Sequence, residues 1–547
     1  MGTFSSTPTP AAQDLTADTV GRATNQPAGG QPRTQQPPAN QPAAPGRGRD
    51  WLALGLLMFP VLLVAVDNTA LTFALPAISR SLEPSGVQLL WIVDAYPLVL
   101  AGLLVAMGSF GDRIGRRRLL LIGSTGFAAV SAATAFAPSA EWLIAGRAAL
   151  GLFGAMLMPS TLSLIRNIFP DPNRRRLAVA IWAAGFSGGA ALGPIFGGWL
   201  VEQYWWGAIL LVAVPIMLPI LAFGPVFIPE SRDPRPGTTD VASIVLSLLT
   251  MVPVVYGIKS LATEGFGVAP AAVIGFGLLM GYVFVRRQKR LRSPLLDVGL
   301  FGNRIFSTAI TANVLALFSF NGFILFLAQH LQLLDGQKPT ESGIAMIPAL
   351  IATVAAGLLV VPLVRKVRPG FVVAGGLSLS ATGYFVVAFG DHSGGPALLL
   401  GALLILALGV GAAETISNDL ILGAVPPEKS GAAAAISETG YEIGSLLGTA
   451  ILGSILTASY QRNLVLPEGI GAGGPGGAHG ISQARETLTG AVELAHSLPA
   501  PLAEALTSAA RVAFDSGVHV TASIALGLMA GAAVLVAVVL RGVPKAR

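Results

Sequence analysis

The stretch AAAAISETGYEIGSLLGTAILGSIL, Ala432 to Leu456, is apolar and long enough to cross a bilayer, yet it carries two acids. A spanning helix needs about 20 predominantly apolar residues. Glu438 and Glu442 are spaced i, i+4, so a helix puts both on one face, with Tyr441 beside them. A charged side chain at the centre of a membrane helix costs about 2.5–3.5 kcal/mol on insertion scales. Two acids on one face of one span therefore point to a water-accessible path for protons or cations.

Working outward, the whole chain has the same character. Its 547 residues are 53% hydrophobic and 11% charged, against about 25% charged in a soluble domain. The net charge of +6 does not indicate nucleic acid, because the basic residues sit in short loops between apolar runs rather than in a basic domain of their own. The chain has no cysteine, which excludes disulfides and thiolate metal sites. Residues 1–50 are rich in Pro, Gln, Ala, Thr and Gly and read as a disordered tail without the apolar core of a signal peptide.

Fourteen segments reach spanning length: 51–73, 88–109, 119–137, 142–165, 177–200, 206–228, 240–261, 268–287, 306–330, 342–364, 370–390, 396–423, 432–457 and 517–540. With the N-terminus in the cytoplasm, 27 of the 34 Lys and Arg fall inside. Six fall outside (Arg80, Lys259, Lys338, Arg462, Arg485 and Arg511), and Arg147 lies within a span. Both termini are thus expected in the cytoplasm. The basic clusters after the second and tenth spans echo each other, as in transporters with duplicated halves. The expected fold is all-α and polytopic: six helices over 51–229, a two-helix insert over 240–287, and six more over 306–540. The loop 459–516 falls outside, either as a small helical cap or as a loose connector.

Several motifs carry chemistry. In GSFGDRIGRRR, Gly108, Gly111 and Gly115 permit a tight turn, while Asp112 can pair with Arg113, Arg116 or a helix N-terminus. The segment suits a conformational latch; a plain topology anchor is the alternative. In the fifth span, Gly188, Gly193 and Gly197 permit close backbone approach and Pro194 permits a kink. Arg147 in the fourth span needs a partner, water or backbone carbonyls. Asp67 and Asp94 lie in the first two spans, in their outer halves, and each is otherwise a helix-end or interfacial residue. Trp91 precedes Asp94 by three residues and can offer its ring to a cation. Glu414 is a secondary candidate, whereas Asp419 approaches water. The chain has neither a phosphate-binding GxxxxGK[ST] loop nor HExxH, and no histidine metal cluster or enzyme constellation is indicated.

The stretches VDNT, LWIVDAYPLVLAGLLVAMGSFGDRIGRRR, LMPSTLSLIRNIF and AAISETGYEIG resemble the major facilitator superfamily. Within it, they resemble the fourteen-helix drug/proton antiporter branch and the QacA, SmvA and LfrA group of multidrug exporters. The resemblance runs from about residue 51 to the C-terminus. It implies a bacterial inner-membrane exporter of lipophilic cations: quaternary ammonium compounds, dyes and, as a further class, fluoroquinolones. It also implies that a proton gradient, with no cofactor or metal, drives export. A monomer is expected. Asp67, Asp94, Glu438 and Glu442 fall where the group places its membrane acids, and Arg147 falls in a motif linked there to proton transfer. Ser437 stands where some members carry a further acid, and the tenth span has none, so monovalent cations are expected to be preferred. An exporter of an endogenous metabolite or lipid, and a non-transporting receptor or scaffold, are the alternatives.

Overall fold

The computed structural model describes residues 47–232, 240–264, 267–291, 294–390, 396–426, 429–470 and 477–544. The tail expected over 1–50 lies outside them up to residue 46. Residues 47–50 are not tail but the start of the first helix.

All fourteen expected segments are helices. They are α1 (Arg47–Leu82), α2 (Gly86–Ile114), α3 (Arg116–Thr134), α4 (Ala140–Ile168), α5 (Pro172–Gln203) and α6 (Ala208–Phe227). The insert is α7 (Val241–Glu264) and α8 (Val268–Gln288). Then follow α9 (Arg304–Leu334), α10 (Pro339–Leu363), α11 (Pro369–Phe389), α12 (Ala397–Gly423) and α13 (Ala432–Asn463). After α14 (Gly477–Glu486) and α15 (Leu488–His496), α16 (Ala500–Val539) supplies the last span. Among the described residues, 12 helices are long and apolar enough to cross a membrane, and bent α5 makes a thirteenth. The remaining one, α3, opens on Arg116–Arg118 and carries polar Ser and Thr positions.

Side chains set the helix starts. Ser85 and Gln88 form a capping box at α2, and Ser139 accepts from the Trp142 amide at α4. Asp171 caps α5, with Pro172 in the first turn. The buried apolar residues gather into two large cores, one drawn mainly from Ala53 to Ile228 and the other mainly from Leu300 to Leu540, with Leu325 packed into the first and Phe73 into the second. The insert helices α7 and α8 lie against each other, and α7 also touches α2 and α13. Their outer faces leave Val245, Leu249, Leu279 and Tyr282 exposed, as lipid-facing helices do.

Two boundaries shift from the sequence expectation. The first helix continues past residue 73 to Leu82, which places Asp67 mid-helix rather than near its end. The segment outside the spans shortens from 459–516, because α13 reaches Asn463 and α16 begins at Ala500. Of the two alternatives for this segment, the helical cap matches its described part. The Tyr460 hydroxyl donates to the Ala484 carbonyl at 2.9 Å, and α15 packs on α16. The centre of its Gly-rich stretch, 471–476, lies outside the described residues.

Contacts between the halves concentrate toward the cap. Glu202 takes Thr340 at 2.7 Å and Lys338 at 3.5 Å. Glu83 takes His479 at 2.6 Å, and Arg80 faces Glu493 at 3.8 Å. Gly198 lies against the Pro339 backbone, and Gly343 against Pro194. At the opposite end, the hydrogen bonds and ion pairs of Asp112, Arg116 and Arg117 stay within the N-terminal half.

Candidate functional site

The acids predicted from sequence converge where α1, α2, α4, α7 and α13 meet. Asp67 on α1 is paired with Arg147 on α4 at 2.7 Å, with side chains 5% and 2% exposed. Arg147 also donates from Nε to the Ile92 carbonyl at 3.3 Å, and its guanidinium lies 4.6 Å from the Tyr96 ring centroid. Both ways of satisfying a buried arginine that were open in the sequence, partner and carbonyl, are used together. The helix-end alternative for Asp67 is ruled out by its burial.

Asp94 is fully buried and is not interfacial. Its Oδ2 faces the Lys259 ammonium of α7 at 2.9 Å, and the Thr449 hydroxyl of α13 donates to Oδ1. Lys259 sits 4.1 Å from the Trp91 ring centroid. Trp91 does take a cation, as its spacing suggested, and that cation is the protein's own. Lys259, expected outside from the charge pattern, is 1% exposed. The signal was its place near the end of an apolar run, three residues after Tyr256 on the same face.

Glu442 is buried, and Glu438 and Glu414 are partly so. Glu438 stands near both, and Asn68 of α1 stands near Glu442. Tyr441 meets Phe186 of α5 edge-on at 5.8 Å, and Phe186 stacks on Trp182 at 6.3 Å. An aromatic wall thus stands beside the carboxylates. A small cavity of ≈ 30 Å³ is lined by Asn68, Thr72, Arg147, Asn321, Ser445 and Thr449. Ser437 donates to Asn418 at 2.6 Å, and Asn313 donates to both, so a neutral polar network stands where a further acid would be. Asp419 is exposed, as expected. No group of acids and histidines among the described residues is arranged to hold a metal ion.

The glycine motifs are corrected in detail. Gly115 has φ +112, and a Cβ there would meet the Glu230 carboxylate at 2.7 Å, so a side chain is excluded on both counts. Gly111 is tight against Leu119, but Gly108 has only ordinary contact. Asp112 pairs with Arg116 at 2.7 Å, and Arg113 is exposed. Glu230, which the sequence reading missed, accepts from the Arg117 amide at 3.1 Å and gathers Arg117 and Arg118. In the fifth span, Gly193 and Gly197 meet α1 closely, but Gly188 has nothing within 4 Å. The face against α1 is 189, 193 and 197, so Gly188 is turned away. The bend of about 40° falls between Ala190 and Leu192, where the Pro194 ring displaces the carbonyl of residue i−4.

The family model described as the Major Facilitator Superfamily matches residues 57–449. Multidrug efflux pump LfrA of Mycolicibacterium smegmatis is 51% identical over 493 residues, 90% of this chain and 97% of that protein. Methyl viologen resistance protein SmvA of Salmonella typhimurium is 37% identical over 470 residues, 85% of this chain and 93% of that protein. A bacterial homologue of the human lysosomal transporter Spinster, crystallised inward-facing and unoccupied, matches in fold. Its TM-score is 0.64 at 18% identity, over 91% of this chain and 98% of that one. The chain belongs to the major facilitator superfamily of membrane transporters, and it is not an enzyme.

Proposed function

We propose that the protein is a proton-coupled exporter of lipophilic, mainly monovalent organic cations from the bacterial cell. The observation that carries this reading is the carboxylate set Glu442, Glu438 and Glu414 in an apolar bundle, the first buried and the others partly so, beside an aromatic wall. An aromatic face and a carboxylate together bind an organic cation. A buried carboxylate is neutralised either by a proton or by a nearby cation, so proton and substrate compete for the same oxygens. Movement of the halves then exchanges one for the other across the membrane. The similarity to multidrug efflux pump LfrA supports drugs as cargo. The name of SmvA includes methyl viologen, a compact dication, which extends the class to dications with closely set charges.

With both termini in the cytoplasm, the cap and the Glu83 and Glu202 contacts lie outside. The arrangement is then closed outward and released at the Asp112 end. The test is dye efflux in everted membrane vesicles. Ethidium should accumulate in vesicles when respiration supplies protons and should leave when a protonophore collapses the gradient. Accumulation that follows added ATP and ignores the protonophore would exclude the proposal.

A further inference from the structure

One ion pair at the site is unlike the others. Asp94 is not left facing the cavity but is taken by Lys259, contributed by the insert. The ammonium is held by the carboxylate on one side and the Trp91 face on the other, with Tyr256 6.4 Å from Trp91. Those are the elements that recognise an organic ammonium ion. Around them Leu98, Val255, Leu446 and Ala450 make a small apolar core where α2, α7 and α13 meet. Thr449 donates to Asp94 and also lines the central cavity, so the seat and the cavity share a wall. The α7–α8 pair is otherwise largely exposed to lipid, which makes Lys259 its deepest charged contribution to the bundle.

We propose that Lys259 is a tethered cation that fills a second organic-cation seat, built from Asp94, Trp91 and Thr449, and thereby restricts the transporter to cargo with one charge or two close ones. This rests on the exporter reading above. Two turns of helix, roughly 10 Å, separate Glu442 from Thr449 along α13. With Lys259 in place, Asp94 offers a molecule held at Glu442 no free carboxylate for a distant second charge. With the ammonium removed, Asp94 and Trp91 accept that charge, and flexible dications of matching length bridge the two seats.

The experiment uses the purified full chain in lipid nanodiscs and bis-trimethylammonium alkanes of graded chain length, with binding read by tryptophan fluorescence. Ethidium binding and efflux are measured in parallel. Lys259→Met should bind dications spanning about 10 Å roughly tenfold more tightly than wild type does, with a smaller gain for chains too short to bridge the two seats. Lys259→Arg should behave as wild type, and Lys259→Met/Asp94→Asn should lose the gain. If Lys259→Met does not fold, Lys259→Gln, which still donates to Asp94, carries the same test. A folded Lys259→Met or Lys259→Gln with unchanged dication affinity overturns the proposal. So does failure of both to fold while the neutral double variant folds, since Lys259 would then serve only to neutralise Asp94. Absence of ethidium efflux in wild type would instead count against the exporter reading, leaving the binding comparison intact.

Discussion

Asp67→Asn tests whether the α1–α4 ion pair acts as a unit. Both side chains are buried and the separation is 2.7 Å. Removing one partner of a buried pair costs about 3–5 kcal/mol, mostly from the charge left behind. Two features lower that figure here. The asparagine oxygen still accepts from Arg147, and Arg147 keeps the Ile92 carbonyl and the Tyr96 face, contacts worth about 1–2 kcal/mol together. The expected loss is therefore about 3 kcal/mol. Arg147→Met should cost a similar amount by stranding Asp67. The double variant leaves neither charge and should cost about 3 kcal/mol rather than 6, because neutral replacement of a buried pair is tolerated. Reversible unfolding in mixed micelles, followed by tryptophan fluorescence, measures all three. Additivity within about 0.5 kcal/mol would show the two residues to be independent and refute the reasoning.

Other expectations follow from the same geometry. Glu442→Gln should abolish most ethidium resistance at normal expression, and Glu438→Gln should reduce it less, since Glu442 is the more buried; equal and full resistance in both would remove the pair from coupling. Asp112→Asn loses a partly exposed pair worth about 0.2–1 kcal/mol, so turnover should fall by no more than about fivefold, and a cysteine pair across the halves at that end, introduced into this Cys-free chain, should report a changed cross-linking rate. The Arg287 guanidinium holds the Asp240 carboxyl down at about 2, from 3.8. A depressed carboxyl stabilises above its unfolded value, so this staple between α7 and α8 is complete above about pH 4 and is lost as pH falls toward 2. Hydrogen exchange at the start of α7 should rise over that range in wild type and be already high in Asp240→Asn.

The spans were legible because apolar length is a direct physical requirement of the bilayer. Each of the fourteen segments is a helix. The acids were legible because a carboxylate in an apolar run is costly enough to need a reason. Their partners were not. Lys259 lies 165 positions from Asp94, and Arg147 lies 80 from Asp67; no local period links them. Helix faces gave Glu438 with Glu442 but misassigned Gly188, because the bend before Pro194 and the approach of α1 decide which glycines are needed. The Asp112 motif looked complete in sequence, yet its organising residue is Glu230, beyond α6. The end of α1 was read short because its last turns mix apolar and polar residues, with Arg80 among them.

Coupling of proton entry to cation export through the carboxylate cluster is tested most directly with purified protein in sealed liposomes containing a pH-sensitive dye. Adding ethidium to the side bearing the Asp112 end, with an opposing proton gradient, should move ethidium and protons in opposite directions. Both fluxes should stop together in Glu442→Gln. Ethidium movement with no proton flux, or an unaltered ratio of the two in that variant, would contradict the account.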